Sequence, residues 1–422
     1  MSPEERMTID ELRKYLHKMR IRYWKAETRS ERSQLLDEMQ TVTELHRKSL
    51  LRLIHGELAR KPRRKQRGKT YGSEVKASVE VIARSLDYPC AERLQPNLVW
   101  MAQHLERHRE LHSLPGVQDK LEQISVSTLR RILGPVSREP DRLAQRKLPP
   151  GAANSLLQAV PMRRIDWQQA QPGHFEVDLV HHGGASSEGQ YVHTLQLVDV
   201  SSGWSECAPL LGRSYLVMED AFASILDRLP FPVLELHPDN GSEFFNAFLL
   251  QYWKEQVQGV HLSRSRPFHK NDNRFVEENN SSLIRAYVGY QRLDTIAHCQ
   301  LLHQLYEQLW LYHNFFQPVM RLQEKSHPTD QTHTRRRYAA AKPPLDRLCD
   351  SGVLNPHTQA RLLHLRAQTN PLQVRRSIED LTTRLFHLPG AKAGLVEDVH
   401  QTLGLWRSHR LWSLKESFGH AG

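Results

Sequence analysis

The chain has 422 residues, 39% of them apolar, which excludes a disordered tail and provides for about two to four folded domains. The formal net charge of +11 is unevenly distributed: residues 1–150 carry +11, residues 151–320 carry −7 and residues 321–422 carry +7. Clustered Lys and Arg side chains neutralise phosphates and release counterions. Two basic flanks around an acidic centre therefore predict a nucleic acid as the partner.

The composition argues against membrane insertion and against zinc-finger chemistry. The sequence contains no run of about 18 apolar residues and no charged-then-apolar N terminus of the signal type, so we expect a cytoplasmic, nucleoid-associated protein without a membrane partner. The four cysteines are scattered, without a Cys-x-x-Cys pair, which predicts reduced and ordinary side chains. They are Cys90, Cys207, Cys299 and Cys349.

Residues 1–60 are predicted to form a first helix-turn-helix DNA-binding unit. Leu12 and Leu16 recur at helical spacing, and a second amphipathic run begins at Leu35. After a break near residues 41–43 comes a helix that is basic on one face, which suits the major groove of DNA. Its candidate DNA contacts are Arg47, Lys48 and Arg52.

Residues 61–72 are predicted to be a basic linker, because like charge, proline and glycine prevent them from folding alone. Two interpretations remain open: a solvated tether, or an arm that lies along DNA phosphates. The second is favoured because the linker joins two predicted DNA-binding units. Its candidate DNA contacts are Arg63, Arg64, Lys65 and Arg67.

Residues 73–135 are predicted to form a second helix-turn-helix-like unit, followed by a proline-rich linker at 136–164. Ser125 or Ser127 can cap its last helix, and Gly134 can end it. A plain packing helix with its arginines facing solvent remains an alternative. The candidate DNA contacts are Ser127, Thr128, Arg130 and Arg131.

Three histidines recur every four residues within this second unit. This spacing would place them on one face of a helix, where a metal site or a solvated stripe could form. A solvated or DNA-facing stripe is favoured, because no cysteine partners them. They are His104, His108 and His112.

Residues 165–338 are predicted to form an α/β domain. Three strands followed by alternating helix and strand predict a mixed sheet with helices on both faces. Residues 339–422 are basic and form a small, mainly helical C-terminal region, with helical patterns at 357–367 and 371–387. The predicted strands lie at about 174–182, 190–199, 203–209, 232–237 and 259–263, and the helices at about 214–229, 242–257 and 274–317.

Three carboxylates stand in contexts that indicate chemistry. Asp178 lies in Phe-Glu-Val-Asp-Leu-Val, a buried-strand pattern in which an unpaired carboxylate is costly and a cation is favoured. Asp239 ends the next apolar strand and precedes Asn-Gly, a turn that places it at the C-terminal edge of the sheet. Glu277 follows on a predicted helix. Sixty residues lie between the first two carboxylates and thirty-seven between the last two.

Parallel, neighbouring strands would bring both aspartates to one edge of the sheet, and Glu277 would approach from its helix. Carboxylates without Cys or His ligands suit Mg²⁺ or Mn²⁺ better than Zn²⁺. Two such ions about 4 Å apart can activate an attacking oxygen and stabilise a leaving one. Asp178, Asp239 and Glu277 are therefore predicted to be both catalytic residues and metal ligands.

Other polar residues near these motifs have weaker signals. The turn-rich segment 263–273 is predicted to be a mobile loop, in which Arg266 and Lys270 could steer DNA phosphates; a simply solvated loop is an equal alternative. Asp199 is expected to be a turn or capping residue, as is Glu243. Glu176 shares a sheet face with Asp178 if the strand is regular, and a secondary role is open to it.

The carboxylate motifs resemble those of the retroviral-type integrases and the related bacterial insertion-sequence transposases, whose catalytic domain is ribonuclease H-like. Gly-His-Phe-Glu-Val-Asp at 173–178 is similar to the strand that carries the family's first Asp. His-Pro-Asp-Asn-Gly-Ser-Glu-Phe at 237–244 is similar to its Asp-x-Gly-x-Glu-Phe segment, and Phe-Val-Glu at 275–277 to its x-Val-Glu. The sequence departs at Glu278, where the family commonly has a basic or amide residue; Val276 fixes the register on Glu277.

The resemblance covers most of the chain and implies a D,D,E-type transposase or integrase. Such an enzyme hydrolyses a DNA 3′ end and then transfers that strand into target DNA, working as a homo-oligomer on double-stranded DNA. Two alternatives remain open: a metal-dependent nuclease of the same fold without strand transfer, and a catalytically silent DNA-binding regulator.

Overall fold

A computed structural model of the protein describes residues 7–56, 70–136, 165, 171–186, 188–239, 244, 259–266, 273–326, 335–392 and 397–404. The chain divides into two compact units, Met1–Thr70 and Tyr71–Gly422.

The N-terminal unit contains three helices: α1 (Ile9–Lys25), α2 (Arg29–Thr43) and α3 (Arg47–His55). Thr8 and Thr28 each begin a helix with a capping box, in which the Thr hydroxyl and a Glu three residues later satisfy backbone N–H groups. Residues 44–46 join α2 to α3, and Glu44 there has a φ of 57°. The apolar faces meet in one buried core, formed by Leu16, Met19, Leu36, Met39, Leu50 and Ile54.

A mixed five-stranded sheet of order β3-β2-β1-β4-β5 forms the centre of the second unit. Strands β1, β2 and β3 pair antiparallel, whereas β1 with β4 and β4 with β5 pair parallel. The predicted α/β class and all five predicted strand positions are confirmed; the helix predicted at 242–257 lies outside the described residues. The strands are β1 (His174–His181), β2 (Val192–Asp199), β3 (Ser205–Leu211), β4 (Glu235–Pro238) and β5 (His261–Leu262).

Helices from all parts of this unit pack around the sheet. After α9 (Tyr215–Leu226), the chain forms α10 (Arg274–Asn279), a π-helical segment (Asn280–Arg285), the short α11 (Ala286–Val288) and the long, mostly buried α12 (Ile296–Phe315). A hairpin follows, made of β6 (Leu322–Ser326) and β7 (Arg335–Tyr338), which the sequence patterns did not predict. The remaining helices are α13 (Pro344–Ser351), α14 (Pro356–Gln368) and α15 (Pro371–His387).

The helices of residues 73–136 share one apolar core with the sheet and with α13 to α15. Polar contacts tie the two helical regions together: Asn97 Nδ2 donates to the Ala341 carbonyl (3.0 Å), and His104 Nε2 lies 2.8 Å from the Thr369 carbonyl. These helices are α4 (Ser73–Ser85), α5 (Ala91–Leu94), α6 (Leu98–Arg107), α7 (Val117–Gln123) and α8 (Val126–Val136).

This packing corrects the prediction for the histidine stripe. His104 is 2% exposed, and burial lowers the pKa of its imidazole to about 4. His108 Nε2 lies 3.1 Å from the Ala367 carbonyl. The prediction of a solvated or DNA-facing stripe is therefore wrong for His104, because the C-terminal helices cover that face of α6.

A buried ionic cluster links β3, the end of α9 and α12. Arg228, 5% exposed, donates from Nε to Glu206 Oε2 (2.6 Å) and pairs with Glu307. The indole N–H groups of Trp204 and Trp310 both donate to Glu206 Oε1, each at 2.8 Å. Burial raises the pKa of Glu206, against the Arg228 charge that lowers it. Removal of Arg228 would therefore leave buried carboxylates without a compensating charge.

Candidate active site

Asp178 and Asp239 lie on neighbouring parallel strands. In the β1–β4 register, Glu176 is opposite His237 and Val177 is opposite Pro238. Asp178 and Asp239 are the next residues on their respective chains, so their backbones lie side by side where the paired segment ends. Both residues are partly buried. This is the carboxyl edge of the parallel pair, where ligands bind in open α/β sheets.

Two hydrogen bonds to described residues orient the Asp178 carboxylate. Its Oδ1 accepts the Leu179 backbone N–H at 2.8 Å, and its Oδ2 accepts from Asn280 Nδ2 in the π-helical segment. Each carboxylate oxygen has a second lone pair. The observed contacts therefore orient Asp178 and still allow it to bind a cation.

Glu176 fixes the helix that carries Glu277. Its side chain is buried, and Oε2 accepts the backbone N–H groups of Phe275 (2.6 Å) and Val276 (2.9 Å) at the start of α10. Helix N termini leave such N–H groups without intrahelical partners. Burial raises the pKa of Glu176 to about 8, although these two donors lower it. Sequence reasoning left the role of Glu176 open; the structure shows that it binds α10 to β1.

Glu277 and Glu278 leave α10 in different directions. Glu277 is exposed, and its charge is close enough to raise the pKa of Glu176. It also precedes Asn280, the Asp178 partner, by three residues, a spacing that puts both on one helical face. Glu278 instead lies 3.8 Å from Arg93 Nη2, and lines a cleft of about 840 Å³ between α10 and the helices of residues 73–136.

The structure brings the three predicted ligands to one region without closing them into a cluster. Within the described part of the chain, no group of three or more His, Cys, Asp or Glu side chains is arranged to hold a metal ion. The backbone positions of Asp178 and Asp239 are adjacent, and α10 is bound to the same strand.

A chain of hydrogen-bonded polar residues joins the start of β1 to β4 and to Ser263 after β5, and sequence reasoning missed it. His174 Nδ1 lies 2.8 Å from Glu235 Oε2, and Ser263 Oγ donates to Glu235 Oε1 at 2.5 Å. Because that hydroxyl proton is used, Ser263 Oγ accepts from His237 Nδ1 (2.6 Å). The signal in the sequence was the pair Glu235 and His237, two polar residues that lie two positions apart and so share one face of β4. All four residues of this strand are buried.

Asp199 is a structural residue, as predicted. It is fully buried and accepts hydrogen bonds from the Ser202 backbone N–H (2.7 Å), the Ser202 hydroxyl (2.6 Å) and the Gly173 backbone N–H (2.7 Å). It therefore closes the turn between β2 and β3 and anchors the start of β1. Glu243 lies outside the described residues.

The candidate DNA contacts of the N-terminal unit lie on α3. Lys48 and Arg52 are exposed. Arg47 pairs with Asp37 and donates to Ser33 Oγ at 2.6 Å, so it also bridges α3 to α2. The linker candidates Arg63, Arg64, Lys65 and Arg67 lie outside the described residues.

The candidates of the second helical set lie at the start of α8. Ser125 caps the helix, since its Oγ accepts the Thr128 backbone N–H at 3.3 Å. Ser127, Arg130 and Arg131 are exposed, although Arg130 pairs with Glu92 and Arg131 donates to Thr128 Oγ1 at 3.2 Å. In the segment after β5, Arg266 is exposed, and Lys270 lies outside the described residues. None of the described helices is long and apolar enough to cross a membrane.

Comparison with known proteins gives one close relative. The chain is 33% identical over 328 residues to the uncharacterized protein y4rM of Sinorhizobium fredii (strain NBRC 101917 / NGR234), a match that covers 78% of this chain and 92% of the relative. The chain belongs to the y4rM family. No family model matches the sequence.

Among solved structures, the chain is similar to the catalytic core domain of BIV integrase. The match covers 42% of this chain and 95% of that chain, with 15% sequence identity and a TM-score of 0.27. Similarity at this level is too low to carry an argument about the fold or the activity of a y4rM family member.

Proposed function

We propose that this protein is a DNA transposase or integrase that catalyses metal-dependent hydrolysis at a DNA 3′ end and strand transfer into target DNA. The observation that carries the proposal is the register of β1 and β4, which sets Asp178 beside Asp239, with the Glu277 helix bound to β1 through Glu176. This arrangement agrees with the order and spacing of the motifs that resemble the integrase and transposase catalytic domain.

The donor set fits Mg²⁺ or Mn²⁺. Asp178, Asp239 and Glu277 offer hard carboxylate oxygens, and both aspartates are only partly buried, so the edge is open to water and to a phosphate. When two ions are bound, they supply the activation of the attacking oxygen and the stabilisation of the leaving oxygen in an in-line displacement.

The chain's own residues orient this site. Leu179 N–H and Asn280 hold the Asp178 carboxylate, while Glu176 sets the position of α10. The preference for Glu277 over Glu278 as the third ligand is supported by the pairing of Glu278 with Arg93, which draws Glu278 away from β1.

Affinity for DNA is assigned to the basic flanks. The acidic central segment repels DNA until cations neutralise its carboxylates. Exposed Lys48, Arg52, Arg131 and Arg266 are the described candidates for phosphate contacts. Joining two DNA ends in concert requires two active sites, so the proposed assembly is a homo-oligomer on DNA.

A strand-transfer assay tests the proposal, with DNA from the two sides of the coding region as candidate ends. The wild type is expected to give joined product in Mg²⁺ or Mn²⁺, and Asp178→Asn and Glu277→Gln to lose at least about a thousandfold of the rate. Glu278→Gln is the matched control, and is expected to stay within a few-fold of the wild type. Cleavage without any joined product would show the nuclease alternative to be right.

A further inference from the structure

Gln196 occupies the position on β2 directly opposite Asp178 in the antiparallel β1–β2 register. Residues directly opposite on paired strands share a sheet face, with Cβ atoms about 5 Å apart. The side chain is 0% exposed, yet neither Nε2 nor Oε1 has a hydrogen-bond partner among the described residues. A buried amide is therefore placed beside the first candidate ligand with its hydrogen-bonding capacity unused.

Asn280 approaches the same carboxylate from the helical side. Its Nδ2 donates to Asp178 Oδ2, whereas its Oδ1 is buried and has no partner in the described part of the chain. Three unpartnered amide atoms thus belong to the two residues that neighbour one carboxylate. Buried polar groups are normally paired, and a group that is not needs an explanation.

Packing alone does not explain a glutamine at position 196. The residues that share its sheet face on β2, Thr194 and Val198, are both fully buried, and Thr194 Oγ1 already lies within hydrogen-bond distance of His182 Nε2 (2.8 Å) and the Tyr306 hydroxyl (2.6 Å). A side chain of similar volume without polar atoms would fill this space without the cost of desolvating an amide. The amide therefore costs stability in the structure as it stands, which is a feature typical of functional sites.

We propose that Gln196 and Asn280 are positioning residues that orient Asp178 for a divalent cation. Asn280 holds Asp178 Oδ2 through its amide N–H. Gln196 Nε2, when the cation is bound, donates to Asn280 Oδ1 and so keeps the Asn280 amide from turning its oxygen toward the Asp178 carboxylate. This inference rests on the proposed function, because it requires a cation at Asp178.

The test measures the Mn²⁺ concentration that gives half of the metal-induced rise in melting temperature of the full chain. Gln196→Met removes both amide atoms at nearly constant volume. We expect its melting temperature without metal to equal or exceed that of the wild type, and its Mn²⁺ midpoint to rise about 10- to 100-fold, as loss of a residue that orients a metal ligand commonly causes. Asn280→Leu is expected to raise the midpoint in the same way.

Thr382→Val is the matched control. Thr382 Oγ1, on α15, is also buried without a partner among the described residues, so this change removes an unused polar atom away from β1. Its Mn²⁺ midpoint is expected to equal that of the wild type. Asp178→Asn, measured in parallel, is expected to abolish the metal-induced rise.

The outcomes separate this inference from the proposed function. If the wild type shows no rise, or Asp178→Asn keeps it, the proposed metal site is wrong and the inference is wrong with it. If the wild type responds and Asp178→Asn does not, a Gln196→Met midpoint within threefold of the wild type overturns the inference alone. Failure of Gln196→Met to fold overturns it as well, since the amide would then be a structural requirement.

Discussion

Arg228→Met should lower the unfolding free energy of the second unit by much more than the loss of one exposed positive charge would. The side chains of Glu206 and Glu307, its two partners, are 0% and 6% exposed, so both carboxylates would remain buried without a cation. Each carboxylate would then either stay charged, with the full desolvation cost of a buried charge, or bind a proton. Breaking a buried ion pair from one side typically costs about 3–5 kcal/mol.

The free energy of protonating both carboxylates sets an upper limit on the stability that the variant loses. Binding a proton at pH 7 to a carboxyl group of ordinary pKa, about 4.3, costs about 3.7 kcal/mol. Two carboxylates therefore limit the loss to about 7 kcal/mol, and we expect a loss between about 3 and 7 kcal/mol. Removal of Arg228 takes away the charge that lowers the pKa of Glu206 against its burial, so the variant loses stability as pH rises. At pH 5 the limit falls to about 1 kcal/mol per carboxylate.

Urea unfolding followed by circular dichroism at pH 7 and pH 5 measures this difference. Arg384→Met is the matched control, because Arg384 pairs with Asp380 on the surface of α15 and should cost under about 1 kcal/mol at either pH. The reasoning is refuted if Arg228→Met costs no more than the control at pH 7, or if its cost does not shrink at pH 5.

Three further changes test other parts of the structure by urea unfolding. Glu176→Ala leaves the two N–H groups of α10 without an acceptor and should cost about 1–3 kcal/mol, whereas Glu176→Gln keeps an acceptor and should cost less; equal costs would contradict the capping role. Burial lowers the pKa of His313 to about 4, so this histidine should account for up to about 3 kcal/mol of the stability that the wild type loses as pH falls from about 6.5 to 4, and His313→Asn should reduce the loss by about that amount. Gly173→Ala, with φ +119° and a Cβ 2.7 Å from the Pro232 carbonyl oxygen, should cost at least about 2 kcal/mol; Gly259→Ala, with φ +81° and no atom of the described residues within 4 Å of its Cβ, should cost less.

The sheet could be predicted from the sequence because its strands carry local signals. Apolar runs and turn residues indicated the five strand positions, and the Asn-Gly turn placed Asp239 at the end of its strand. Parallel pairing of β1 with β4 was a condition of the prediction, and the structure confirms it. Which strands lie next to each other in the sheet depends on long-range packing, so no local sequence pattern could establish it.

Other features depend on partners that are distant in sequence. His104 has the spacing of a surface stripe, but the carbonyl that it contacts is 265 residues away. Glu176 contacts α10 across about a hundred residues, and its polar side chain alone did not distinguish a helix cap from a ligand. Gln196 carries no motif, and its relation to Asp178 follows only from the strand register.

The central claim is that the carboxylates carry out the chemistry while the basic flanks bind DNA. It is tested most directly by measuring DNA binding and product formation by one variant in the same samples. In Mg²⁺, Asp239→Asn should bind labelled end DNA with a Kd within about threefold of the wild type, and should form at least about a thousandfold less joined product. Unchanged binding together with unchanged product would contradict the account and leave a DNA-binding regulator in its place.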